Sequence, residues 1–191
     1  ADIAMFEVGP AFLGDEPDQQ RTAVAAIRHG AMAPREWHGS RRLVDVFDAK
    51  ADAEAALTVL GVRRGSLQIE SGGPDYFHPG RCGRLLQGRS LLAQFGEVHP
   101  QVASHFGLRN ALVGFELFLE DVPLAKSRGP ARSYLKMSPF QPVSRDFAFI
   151  LDDDVPASQL LRAVKSAAGQ LVTDVQLFDV YQGKNIGDGQ K

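Results

Sequence analysis

Arg145 and Asp146 stand just before Phe147 and Phe149, which alternate along a strand-like run, and Tyr181 lies three positions before Lys184. Aromatic rings at strand positions offer π faces on which unpaired bases stack, and neighbouring cations meet phosphate. Arg145, Phe147, Phe149, Tyr181 and Lys184 are therefore the candidate RNA-binding residues. A second reading is open for each. Arg145 and Asp146 can form an ion pair that pins a loop to the strand, and an aromatic with a cation at a strand end can serve packing. Spacing does not choose between the two.

Other chemistries find less support. His29, His38, His78, His99 and His105 are scattered, without the two-histidine spacing that puts metal ligands on one helix face. No G-x-S-x-G elbow holds a serine nucleophile. Cys82 is the lone cysteine, so it forms no internal disulfide, and with no obvious histidine partner it reads as an inert thiol. The stretch Gly183–Gly189 resembles a phosphate loop only in its glycines. Gly183-Lys184-Asn185 lacks the Lys-Ser/Thr step into a helix, which leaves a strand-to-strand turn. Tyr76-Phe77-His78-Pro79-Gly80-Arg81 reads as a tight turn holding two aromatics. No catalytic residue and no metal ligand is assigned.

The elements that must position these residues follow from periodicity. Ile3 to Val8 is strand-like, with a break at Gly9-Pro10 and a polar loop from Gly14 to Gln20, and Thr22 to Ile27 is extended. Residues 30–40 make a connection anchored by Trp37. Val44, Phe47, Ala51, Ala55 and Val59 step at helical spacing, with Gly61 at the stop. Leu67 to Glu70 is a short strand. Cys82–Gln87 and Ser90–Phe95 flank Gly88-Arg89 as a hairpin, Pro100–Phe106 is a short helix, and Val113 to Leu119 alternates as a strand. This is an α+β pattern, an antiparallel sheet with helices against it.

Residues 121–142 carry four prolines with Lys126, Arg128, Arg132 and Lys136, and are the candidate linker. Beyond them Phe147–Leu151 reads as a strand. The Leu160, Leu161, Val164 and Ala168 face reads as a helix, and Val172–Tyr181 as a second strand. Strand, helix and strand make a βαβ unit, the first half of a ferredoxin-like fold.

Net charge is −2 over 191 residues, with 44% hydrophobic residues, enough for real cores and too balanced to advertise a polyanion-binding protein. Residues 1–125 lean acidic and residues 126–191 slightly basic, which permits contact with nucleic acid without requiring it. No apolar run approaches the ~18 residues of a membrane span, and no secretory pattern opens the chain, so a cytoplasmic setting is expected. The chain opens directly on a strand and closes on a glycine-rich loop, and is expected to be a fragment.

Six stretches in order resemble the β-chain family of bacterial phenylalanine–tRNA ligases. They are Met5-Phe6-Glu7-Val8-Gly9-Pro10-Ala11-Phe12, Trp37 through Arg42-Leu43-Val44-Asp45-Val46-Phe47-Asp48 to Leu60-Gly61, Phe77-His78-Pro79-Gly80-Arg81, Phe95-Gly96-Glu97-Val98-His99-Pro100 with Gly114-Phe115-Glu116-Leu117, Ser138-Pro139-Phe140-Gln141-Pro142 through Arg145-Asp146-Phe147-Ala148-Phe149, and Leu177-Phe178-Asp179-Val180-Tyr181-Gln182-Gly183. Ala49-Lys50-Ala51 departs from the glycine that often follows the lysine, and Cys82-Gly83 from the usual small pair.

The resemblance implies a heterotetramer of two α and two β chains that uses ATP and magnesium to attach phenylalanine to its tRNA. The active site lies in the α chain. Residues 1–125 would be the later part of an inactive class II catalytic-like module, residues 126–137 a linker, and residues 138–191 the first half of a ferredoxin-fold anticodon-binding domain. The expected partners are the α subunit and the tRNA for phenylalanine, with no membrane, no DNA and no cofactor bound to this stretch itself. A free-standing ferredoxin-like regulatory protein that binds a small molecule is the alternative, and an independent hydrolase a third.

Overall fold

The computed structural model describes residues 2–34, 37, 41–123, 134 and 137–191. The basic residues of the candidate linker lie outside the described residues, as do the neighbours of Trp37. The chain divides into two compact units, Ala1–Ser127 and Arg128–Lys191.

The first unit is a six-stranded antiparallel sheet in the order β1-β2-β6-β5-β4-β3. Its strands are β1 (Ile3–Phe12), β2 (Gln20–His29), β3 (Gln68–Ser71), β4 (Phe77–Gln87), β5 (Ser90–Val98) and β6 (Leu112–Phe118). The sequence reading placed a break at Gly9-Pro10, yet β1 runs through it, with Pro10 opposite Thr22. The Thr22 N–H donates to the Glu120 carboxylate, away from β1. At this pair, then, the backbone groups of Pro10 point out of the sheet, where a missing N–H costs no ladder bond. The hairpin of β4 and β5 turns on Gly88, at φ 63, the left-handed region that glycine tolerates.

Helix α1 (Val46–Val59) begins at Asp45, whose carboxylate accepts the Phe47 and Asp48 N–H groups while Asp48 reaches back to the Asp45 N–H. This reciprocal cap ties down otherwise orphaned donors. Gly61, at φ 94, follows the last turn.

The face that α1 buries is not the one its spacing suggested. Ala49, Ala53 and Leu57 are buried on the sheet, whereas Phe47 is 70% and Val59 88% exposed. An alanine-rich helix is apolar on several faces, so periodicity alone leaves its rotation open. Two ion pairs accompany the observed rotation: Arg28 forks onto Asp52 at 2.5 and 3.0 Å, and Arg42 onto Asp48 at 2.7 and 2.6 Å. Between helix and sheet, Leu57 of α1 and Leu85, Leu92, Val113 and Leu117 of the strands are fully enclosed.

The stretch Tyr76–Arg81 is not the tight turn expected. Phe77 to Arg81 continues β4, with the register slipping between the Phe77–Val98 and Cys82–Gly96 pairs. The local irregularity is that of a bulge, in which extra residues on one strand absorb the mismatch. Helix α2 (Pro100–His105) starts where His99 Nδ1 accepts the Gln101 N–H.

The second unit contains one longer helix, α3 (Ala157–Ala168), closed by Gly169 at φ 55. The strands expected at Phe147–Leu151 and Val172–Tyr181 are not formed as paired strands among the described residues. Alternation alone does not make a ladder, and neither run lies along a bonded neighbour strand among the described residues. Leu151 and Lys191 exchange both backbone hydrogen bonds at 2.9 Å, Asp152 bridges Gln190 antiparallel, and the Asp153 N–H donates to the Gly189 carbonyl at 2.8 Å.

Candidate nucleic-acid interface

Phe147 and Phe149 share one side of an extended run because side chains alternate with a period of two. Their ring centroids are 6.5 Å apart and the planes 27° from parallel. They are 74% and 49% exposed, and form a two-ring platform open to solvent. Arg145 precedes them and is exposed. Phe178 is exposed in the second extended run.

Tyr181 and Lys184 meet. The Tyr181 hydroxyl donates to the Lys184 carbonyl at 3.2 Å, and both side chains are exposed. Gln182 Nε2 donates to Asp153 Oδ1 at 3.4 Å, and the Lys191 ammonium to the Asp153 carbonyl at 2.6 Å. These bonds set Tyr181 and Lys184 beside the end of the first extended run. Arg145 lies at its other end, about 25 Å away at ~3.3 Å per residue. The five candidates thus fall into one aromatic pair, one tyrosine–lysine pair and a separate arginine. Sequence reasoning read Gly183-Lys184-Asn185 as a plain turn and gave no site role to Gly183, which the Tyr181 ring approaches closely, or to Asn185, at φ 85 the one non-glycine residue with positive φ among the described residues. The asparagine was a usable signal, because its short side chain tolerates that region.

The first unit has polar chemistry on the face away from α1. Glu116 accepts from the Tyr76 hydroxyl and, at 3.1 Å, from Gln94 Nε2. Burial and this carboxylate push the Tyr76 phenol well above its ordinary value, so it stays protonated and is no base. His78 and His99 each spend Nδ1 on a backbone N–H, of Gly80 and Gln101 respectively. Among the described residues no group of three His, Cys, Asp or Glu side chains could hold a metal. No helix among them is long and apolar enough to cross a membrane.

Residues 1–119 match the family model of the phenylalanyl tRNA synthetase beta chain CLM domain. The chain belongs to the phenylalanyl-tRNA synthetase β-chain family. Residues 138–191 match the model of the ferredoxin-fold anticodon binding domain. Among relatives, the phenylalanine–tRNA ligase beta subunit of Rhodospirillum rubrum is 44% identical over 191 residues, and that of Bradyrhizobium diazoefficiens 45% over 196. Each alignment covers 100% of this chain and 24% of the relative, so the chain spans about a quarter of the β subunits it matches. A pyrrolysyl-tRNA synthetase of Desulfitobacterium hafniense has a TM-score of 0.46 at 17% identity, over 71% of this chain and 48% of that one.

Proposed function

We propose that the chain is a non-catalytic scaffold and tRNA-binding piece of the β subunit of a phenylalanine–tRNA ligase. Residues 1–125 act as the later part of a class II catalytic-like module, residues 126–137 as a linker, and residues 138–191 as the opening half of the anticodon-binding domain. The subunit works in the cytoplasm with an α partner, two of each chain. That assembly uses ATP and magnesium to attach phenylalanine to its tRNA. The observation that carries the reading is the match of residues 138–191 to an anticodon-binding model. The exposed rings of Phe147, Phe149 and Tyr181 support it, since rings open to solvent are what base stacking requires. Arg145 and Lys184 supply phosphate contacts.

Mixing the complete subunit with its α partner tests the assignment. Charging of tRNA with phenylalanine appears only with both chains present; turnover by the β chain alone, or a small-molecule response by it alone, defeats the assignment. Within the assembled enzyme, Arg145→Ala weakens tRNA binding across sequences and lowers the salt slope by about one. Affinity unchanged at fixed salt assigns Arg145 a structural role.

A further inference from the structure

We propose that Gly183 is a positioning residue whose missing side chain lets the Tyr181 ring fold over the loop and present itself to an unpaired RNA base. This rests on the RNA-binding reading of residues 138–191 and names what sets the geometry there. A Cβ built on Gly183 would stand 2.6 Å from Tyr181 Oη, 2.7 Å from Cζ and 3.2 Å from Cε2. Contacts that short do not persist between a Cβ and a ring, so a methyl group at position 183 drives the ring out.

The backbone makes no separate demand for glycine. Gly183 is absent from the positive-φ residues, unlike Gly169 and Gly189, so alanine fits its conformation. What excludes a side chain is the tyrosine, the movable end of the pair. Substitution therefore displaces the ring and leaves the fold in place.

Two hydrogen bonds hold the arrangement that the ring completes. The Tyr181 hydroxyl donates to the Lys184 carbonyl at 3.2 Å, and the Ile186 N–H donates to the Gly183 carbonyl at 3.4 Å. Asn185, between them, takes the left-handed conformation that turns the chain. More than half of Tyr181 stays open to solvent, and Lys184 is exposed beside it. The result is a ring held at its hydroxyl by the Lys184 backbone, with that residue's exposed side chain supplying a cation in the same loop, the combination that binds a stacked base and its phosphate. A ring already held loses less freedom on binding than one that must be ordered.

The test combines a spectroscopic and a binding arm. The 191-residue chain is labelled with 3-fluorotyrosine, and the Tyr181 signal is assigned through Tyr76→Phe and Tyr134→Phe. Gly183→Ala moves that fluorine signal without lowering Tm. Gly187→Ala, whose added Cβ meets the Gln190 side chain instead, leaves the signal in place. In the assembled ligase, Tyr181→Ala and Gly183→Ala each weaken tRNA binding at fixed salt by at least about 5-fold, and the double variant is no weaker than Tyr181→Ala. A stationary fluorine signal together with a weakened Tyr181→Ala overturns the role of Gly183 alone. A moved signal with affinity unchanged in both variants overturns Tyr181 as an RNA contact, and the role of Gly183 with it.

Discussion

The sheet of residues 1–127 and the extended runs of residues 138–191 are written in similar residues and end in opposite states. Val113, Phe115 and Leu117 in β6 are buried between two bonded neighbours and α1, while Phe147, Phe149 and Leu177 alternate just as cleanly and stay exposed. The helices differ in the same way. Helix α1 is capped by side chains and buries Ala49, Ala53 and Leu57; α3 has a clear apolar stripe, no capping side chain and no buried residue. Alternation gives a segment the capacity to be a strand, and a neighbour at about 4.8 Å makes it one.

Hydrogen exchange gives the widest separation. Amides of β5 and β6 open only with global unfolding, so their protection approaches the full stability of the unit, whereas amides of residues 172–180 exchange close to the unprotected rate. Comparable protection in both regions would break the contrast. Next in size are paired truncations. Leu57→Ala, at a fully buried site, lowers stability by about 2–5 kcal/mol in urea denaturation. Leu177→Ala, half exposed, changes it by less than about 0.5 kcal/mol.

The Asp48 cap comes third. The Arg42 guanidinium bonded to it, helped by the Asp45 N–H, holds its carboxyl below the ordinary value against the opposing effect of burial. A depressed carboxylate stabilises above its unfolded value near 4 and loses that contribution as pH falls through the lower, folded value. Asp48→Ala therefore costs about 1–2 kcal/mol at pH 7, and the gap to the parent protein narrows as pH falls through the depressed folded value. A gap constant with pH would mean that charge contributes nothing to the cap. Smallest is Phe178→Ser, which shifts Tm by no more than about 1–2 °C because its ring is exposed. A larger drop would show that the ring is covered in solution.

Much of this was legible in the chain itself. Gly88 marked a hairpin, Gly61 the end of α1, and the stripe of α3 its helix, because each signal is local and carries its own steric cause. What stayed hidden depends on partners far away in sequence. The rotation of α1 accompanies contacts from Arg28 and Arg42, which no count of alanines reveals. The slipped register of β4 depends on pairing with β5. Of the interface, the aromatic and basic residues could be picked out by type, but the grouping of Tyr181 with Lys184, apart from Arg145, follows from how residues 182–191 fold back onto 151–153.

Pro10 carries a further consequence. Ala4, Phe6, Val8 and Phe12 share its parity, so on β1, the first strand in the sheet order, their amides face outward in one row. The proline ring removes one donor near the far end of that row, and its bulk hinders an approaching backbone. A foreign strand adding along this rim finds uninterrupted donors only as far as Val8, which makes Pro10 a guard against sheets joining edge to edge.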